Sequence, residues 1–163
     1  MSTAVLISIG SNVERETNLH SSILALRSEY GEVECSPVYE SKAVGFDGDD
    51  FYNLVARVYT DLSVETVDAT LTRIEDEHGR DRRGPRFSPR TLDLDLLLFG
   101  NEVRQDHGLE VPRDEITRYA FVLKPLMDIA GDTQHPTLNV SINDLWHAFD
   151  QPSQPLHMID FNW

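Results

Sequence analysis

Residues 80–100 constrain this chain more than any other stretch. They read RDRRGPRFSPRTLDLDLLLFG and fall into two halves. Arg80, Arg82, Arg83, Arg86 and Arg90 crowd the first half, five of the twelve arginines in a 163-residue chain of net charge −14. The second half, residues 91–99, reads as a buried strand interrupted by Asp93 and Asp95. Strand side chains alternate between faces, so the two aspartates share one face with Cα atoms about 6.6–6.8 Å apart. Leu92, Leu94 and Leu96 take the other.

Two adjacent carboxylates in an apolar strand repel each other, and burying them ionised without partners costs several kcal/mol. A hard divalent cation held by oxygen ligands, such as Mg²⁺, removes that cost and takes the rest of its shell from water and substrate phosphates. The arginines supply planar, permanently charged partners for those phosphates. The D-x-D pattern also fits a solvated polar face. The arginines also fit a solvated turn or pairs with the chain's many acids. The run of arginines straight into D-L-D favours a Mg²⁺–polyphosphate site.

Acids outnumber bases 28 to 14. Such a surface repels nucleic acid and anionic membrane, so a polyanionic substrate needs a local basic patch. Residues 80–90 are that patch. Cys35 is the single cysteine, which excludes an intrachain disulfide and points to the cytoplasm. No apolar run is long enough to span a membrane, and no segment reads as a signal peptide. The six histidines lack metal-ligand spacing. The length fits one domain.

Along the chain, residues 4–8 read as a buried strand ended by Gly10-Ser11-Asn12, and residues 16–30 as a helix stopped by Gly31. Residues 33–40 read as a strand that Pro37 confines to an edge or a bulge. After an acid- and glycine-bearing loop, residues 51–59 form a third strand. Phe51, Asn53, Val55 and Arg57 lie on one of its faces, and Tyr52, Leu54, Ala56 and Val58 on the more apolar other. Asn53 beside an aromatic can read the donor–acceptor edge of a heterocycle, or can be a surface amide near a strand end. Residues 63–77 read as a second helix, with Val67, Leu71 and Ile74 inward and Glu75 a solvated acid. A turn follows the D-L-D strand at residues 100–102. Beyond it come a short hairpin near residues 103–111, a helical turn at 113–118, and helices at 124–130 and 141–149. Residues 150–163 show no period.

The run S-P-R-T-L-D-L-D-L-L-L-F-G, residues 88–100, resembles the signature of the 6-hydroxymethyl-7,8-dihydropterin pyrophosphokinases of folate biosynthesis. The G-S-N after the first strand and the run F-V-L-K-P-L at residues 121–126 are similar to that family too. The order strand, helix, strand, strand, helix, strand, with C-terminal additions, predicts an α+β fold, a ferredoxin-like βαββαβ plait with a mainly antiparallel sheet, helices on one face and the active cleft on the other. The resemblance implies an enzyme that moves pyrophosphate from ATP to the pterin with two Mg²⁺ ions, and a monomer. Asp93 and Asp95 match the metal ligands, and Arg80 and Arg90 the catalytic arginines. Phe51 and Phe121 match the aromatics that sandwich the pterin, Asn53 and Val44 the groups that read its edge, and Phe87 a Trp that covers the site. Without the resemblance Phe121 reads as a core residue. Glu75, Arg82, Leu96, Arg113 and Arg118 fall on the nucleotide side. There the chain departs from the pattern: Arg113 stands where the family often has His, Tyr119 where it has Arg, and Glu110 where it has a small polar residue. Arg113 and Arg118 are expected to take over the missing phosphate contacts. The alternative is a pterin-binding paralogue with weak or no kinase activity.

Overall fold

The central strand β1 (Thr3–Ser11) carries hydrogen-bonded neighbours on both sides, β4 (Phe51–Thr60) and β5 (Asp93–Phe99), both antiparallel. Its residues from Val5 to Ser11 are all buried. That is why residues 4–7 are a continuous apolar run rather than an alternation. The strand outlasts the expected stop at Gly10 because Gly10 and Ser11 still pair with Asn53 and Tyr52. Ladder pairing overrides the local turn preference of G-S-N.

The computed structural model describes residues 2–42, 50–79 and 92–163. Val44, Arg80, Arg82, Phe87 and Arg90 lie outside the described residues. The elements between the central strands are α1 (Arg15–Tyr30), β2 (Glu34–Cys35), β3 (Val38–Ser41) and α2 (Val64–Glu77). After β5 come a 3₁₀ turn (Asp114–Thr117), α3 (Ala120–Ala130), α4 (Ile142–Ala148) and β6 (His157–Ile159). No helix among the described residues is long and apolar enough to cross a membrane.

Gly31 ends α1 with φ +82° and an N–H donated to the Arg27 carbonyl at 2.9 Å, as its position in the sequence implied. Ser63 caps α2, its hydroxyl accepting from the Thr66 N–H at 3.2 Å. The single strand expected over residues 33–40 is split in two by Pro37, which has no N–H to donate. Ser36 bridges the break. Its N–H donates to the Val55 carbonyl at 2.9 Å, and its hydroxyl accepts from the Val55 N–H at 2.9 Å.

The sheet order is β5-β1-β4-β3-β6, with β2 on β4, and every pairing is antiparallel. The fold is therefore mixed helix and antiparallel sheet. It departs from the expected four-stranded plait in two ways. The sheet has six strands among the described residues, because the strand expected over residues 33–40 is split into β2 and β3 and because β6 pairs with β3 from a segment that showed no period. A three-residue strand is too short to leave one. Helices also cover both faces rather than one. Leu19, Ile23 and Leu26 of α1 and Val67, Leu71 and Ile74 of α2 pack on Ile7, Ile9, Leu54, Ala56 and Leu94. Val122, Leu123 and Leu126 of α3 and Ile142 of α4 pack on Leu6, Val55, Leu97 and Leu98. The second layer forms because β1, β4 and β5 are apolar on both sides at that end.

Helix α3 begins at Ala120, four residues before the expected start, so Pro125 lies inside it. The proline removes one main-chain hydrogen bond, and the burial of the neighbouring Val122, Leu123 and Leu126 offsets that loss. Between α3 and α4 the chain turns around His135, which is 4% exposed. Its Nδ1 accepts from the main-chain N–H groups of Thr137 (3.3 Å) and Leu138 (3.2 Å). Only a neutral ring offers that lone pair.

Burial holds the His135 pKa below its ordinary 6.5. The unfolded chain then binds more protons than the folded one just below that value, so stability falls as pH drops from about 6.5 through the folded pKa. Urea unfolding at pH 7.5 and 5.5 should show this loss in the wild type. His135→Asn should be less stable at pH 7.5, and the gap should shrink at pH 5.5.

Candidate active site

Strand β5 presents its acids through its register. Asp93 pairs with Gly10 and Asp95 with Ser8, so both aspartates lie on the face of Gly10 and Ser8. Leu92, Leu94 and Leu96 point into the opposite core, as the alternation required. A register shift opposite Leu6 and Ile7 then turns both Leu97 and Leu98 into the α3 layer. The acids are thus set just beyond the point where that layer ends.

Gly10 also pairs with Asn53 on its other side. Asp93, Gly10 and Asn53 therefore form one row across three strands, which places the Asp93 and Asn53 backbones about 9.5 Å apart. A Cβ on Gly10 would sit 3.0 Å from Asn53 Oδ1 and 3.6 Å from the Phe51 ring. Glycine lets the row stay flat between an acid and an amide. Asn53 is 3% exposed and donates through Nδ2 to Ser41 Oγ at 2.7 Å. This bond anchors the amide from behind, and its Oδ1 faces the Gly10 floor. Phe51, two residues earlier, shares this face and is half-buried.

Glu75 departs from its expectation as a solvated helical acid. It is 5% exposed, and its Oε2 accepts from the Leu94 N–H at 2.8 Å. β5 is an edge strand, and the last turn of α2 supplies the acceptor for that outward N–H. One oxygen from each of Glu75, Asp93 and Asp95 lies within 4.8 Å of the others. An all-oxygen set with no nitrogen or sulfur suits Mg²⁺, which keeps several waters of its own, and Glu75, already bonded to Leu94, stands behind Asp93 and Asp95. A signal for Glu75 was present: it continues the buried stripe Val67–Leu71 at a spacing of four.

Arg113 reaches this cluster. The Val111–Pro112 peptide is cis, and the Arg113 N–H donates to the Leu97 carbonyl at 3.0 Å, which fixes its backbone beside β5. Its guanidinium pairs with Glu115 at 2.9 Å and lies 3.4 Å from Asp95 Oδ1. Burial, then the Asp93 charge beside it, push the Asp95 carboxyl well above the usual carboxylate range, and Arg113 only partly opposes them.

The remaining residues divide. Phe121 sits in the first turn of α3, on the same face of the sheet as Val55, stacked on Tyr119 with centroids 5.0 Å apart. The Leu96 side chain is buried in the core beneath α1 and α2, so only its backbone can meet a ligand. Arg118 pairs with Asp114 at 2.7 Å and lies over the Tyr119 ring, and it makes no ion pair with the acidic cluster. Arg15 was not foreseen. It donates to Glu40 Oε2 (2.7 Å) and to the Asp50 carbonyl (3.0 Å), and stacks 3.9 Å over Tyr52. It thereby ties the end of β3 to the start of β4, behind Phe51 and Asn53.

A family model described as 7,8-dihydro-6-hydroxymethylpterin-pyrophosphokinase matches residues 6–131, a span that holds Gly10, Asn53, Glu75, Asp93, Asp95, Arg113 and Phe121. The chain belongs to this family. It is 38% identical over 138 residues to the 2-amino-4-hydroxy-6-hydroxymethyldihydropteridine pyrophosphokinase of Haemophilus influenzae, covering 82% of this chain and 86% of that one. The enzyme of the same name from Bacillus subtilis is 36% identical over 139 residues, covering 82% of each chain. The folate synthesis bifunctional protein of Arabidopsis thaliana is 34% identical over 152 residues, of which the match spans 31%. In structure the chain is similar to the HPPK-DHPS of Plasmodium falciparum crystallised with pteroate, at a TM-score of 0.70 and 14% identity over 90% of this chain and 42% of that one. At that identity the likeness concerns the fold.

The raised Asp95 pKa means that the folded state holds that proton more tightly than the unfolded state does. Its contribution to stability is present at acid pH and is lost as pH rises through the folded value. Asp95→Asn, measured by urea unfolding without divalent metal, should be more stable than wild type at pH 7.5. The advantage should shrink toward pH 4.

Proposed function

We propose that this protein transfers pyrophosphate from ATP to 6-hydroxymethyl-7,8-dihydropterin, giving AMP and the pterin pyrophosphate. The observation that carries this reading is the row across the sheet: an acidic triad at one end and a glycine-floored, amide-and-aromatic edge at the other, within one bisubstrate reach. Family membership supports the same reaction, since relatives named as pyrophosphokinases match over most of their length. The strand order β5-β1-β4-β3 with α1 and α2 on one side supports reading the core as a ferredoxin-like plait extended by β6. The single cysteine fits a reducing, cytoplasmic setting.

Phe51 and Phe121 hold the pterin between aromatic faces, and Asn53 reads its polar edge. The pterin hydroxymethyl oxygen forms a bond to the β-phosphorus and gives up its proton to solvent, the bond from that phosphorus to the α–β bridging oxygen breaks, and AMP leaves with the electron pair. Asp93 and Asp95 would hold two Mg²⁺ ions, and Glu75 orients those aspartates through its place beside β5 and its contact with the Leu94 N–H. Bound there, Mg²⁺ would lower the charge on the triphosphate. Arg113 stands between Asp95 and Glu115, within reach of a phosphate oxygen beside the cluster. Arg80 and Arg90 act on the same phosphates, Arg82 and Arg118 contact the nucleotide, Leu96 offers its backbone, and Val44 and Phe87 complete the pterin side.

A coupled assay for AMP tests this reading. Wild type with Mg²⁺, ATP and the pterin should release AMP only when the pterin is present. Glu75→Gln should cut kcat/KM by about 10- to 100-fold, the usual cost of losing an outer-shell metal partner. Pterin binding without AMP release would instead favour the binding paralogue.

Gly10→Ala separates the pterin end from the metal end. The new methyl crowds Asn53 Oδ1 and the Phe51 ring. The pterin KM should rise roughly tenfold or more, as a cost near 1.4 kcal/mol implies. The ATP KM should stay within about twofold, the scale of an unperturbed distant site.

A further inference from the structure

The matched family span ends at residue 131, yet the chain beyond it touches both α3 and β4, the elements that carry Phe121, Phe51 and Asn53. Resting on the assignment of Phe51, Asn53 and Phe121 to the pterin, we propose that Gln154 and the segment after it position these two walls of the slot relative to one another.

The first contact is at α3. Gln154 Oε1 accepts from the Ala120 N–H at 2.9 Å, and its Nε2 donates to the Arg118 carbonyl at 3.0 Å. Ala120 is the first residue of α3, and its N–H has no partner within the helix. The N-cap residue Tyr119 provides no side-chain cap. A side chain 34 positions away in sequence does so instead, clasping the backbone on both sides of Tyr119. The next residue is Phe121. Gln154 thus fixes where α3 starts, and with it the direction of the Phe121 ring, which packs on Tyr119.

The second contact is at β3. Strand β6 pairs Val38 with Ile159, Tyr39 with Met158 and Glu40 with His157. This ladder holds the end of β3, where Ser41 accepts from Asn53 Nδ2. The third is at β4. Phe161 meets the Tyr52 ring edge-on at 6.2 Å and lies 5.2 Å from the His20 ring of α1, with Trp163 packed on both His20 and Phe161. Tyr52 points away from the slot, and its neighbours Phe51 and Asn53 point into it. One continuous segment therefore braces the Phe121 wall from its helix start and the Phe51–Asn53 wall from behind. Nothing in it reaches Glu75, Asp93 or Asp95 among the hydrogen bonds of the described residues, so it bears on the pterin end and not on the metal end.

Three variants test this: Gln154→Met, which keeps the length and loses both hydrogen bonds; Gln154→Glu, which keeps the acceptor for Ala120; and Phe161→Ala. Calorimetry with 6-hydroxymethyl-7,8-dihydropterin gives the pterin affinity without ATP, and steady-state kinetics give both KM values. Gln154→Met should weaken pterin binding and raise the pterin KM roughly five- to tenfold, the factor a lost helix cap implies. Its ATP KM should be unchanged and Gln154→Glu should recover part of the loss. Phe161→Ala should act in the same direction. Parallel rises in both KM values, or a fall in the folded fraction with an unaltered pterin affinity, would show a merely structural tail and overturn the proposal. Wild-type protein that fails to bind the pterin would overturn the pterin assignment itself. Tight wild-type binding with unaffected variants would overturn only the role of this segment.

Discussion

The register of β1 is the constraint on which the site depends. Seven consecutive residues of this strand are buried, with the odd-numbered Val5, Ile7 and Ile9 under α1 and α2 and Leu6 under α3 and α4. A slip of one residue would send the isoleucines to the α3 side and bring Ser8 and Gly10 into the larger core. It would also break the row in which Asp93, Gly10 and Asn53 stand side by side. Burial of each large aliphatic residue is worth about 1.5–3 kcal/mol, so several of them together pin the register far more firmly than any contact within the site. The apolar pattern of β1 thus sets the distance between the acid end and the amide end.

The same sheet carries the electrostatic cost of function. Glu75, Asp93 and Asp95 converge at the edge of a buried strand, and the net push on Asp95 is toward the protonated form. Arg113 is the cation near them among the described residues, and its shorter contact is with Glu115 rather than with Asp95. A core built only for stability would not place three acids together. The site spends some of what the β1 registration provides, a common exchange where strain and charge serve chemistry.

Much of this was legible in the chain. The D-L-D alternation gave the faces of Asp93 and Asp95 because period two leaves no other choice once Leu92, Leu94 and Leu96 must be buried. The Phe51–Arg57 alternation likewise separated Asn53 from Leu54. The reading of Glu75 as a solvated helical acid weighs its charge above its position: an acid at the fourth place after Leu71 lies on the buried stripe. Strand β6 left no trace, since three residues cannot show a period and its partner is 117 to 121 positions away, from Glu40–His157 to Val38–Ile159. The second helical layer was also missed. Leu97 and Leu98 both turn into it only because of the register shift opposite β1, and a bulge is a property of a pair of strands rather than of either sequence.

Tyr119 shows how a departure from the family pattern is absorbed locally. An arginine at this position would have offered a charge; the tyrosine offers a surface. Phe121 stacks on it at an interplanar angle of 19°, and Arg118 lies over the same ring with the guanidinium carbon 5.3 Å from its centre. The positive charge has moved back one residue, where Asp114 holds it. Such a stack stiffens the first turn of α3, which has no side-chain cap of its own. Stiffness here favours a flat aromatic ligand, because a ring that is already oriented loses less freedom on binding. The tyrosine at this position therefore orders Phe121 by stacking, while Arg113, anchored to the Leu97 carbonyl, is the cation that faces the acids among the described residues.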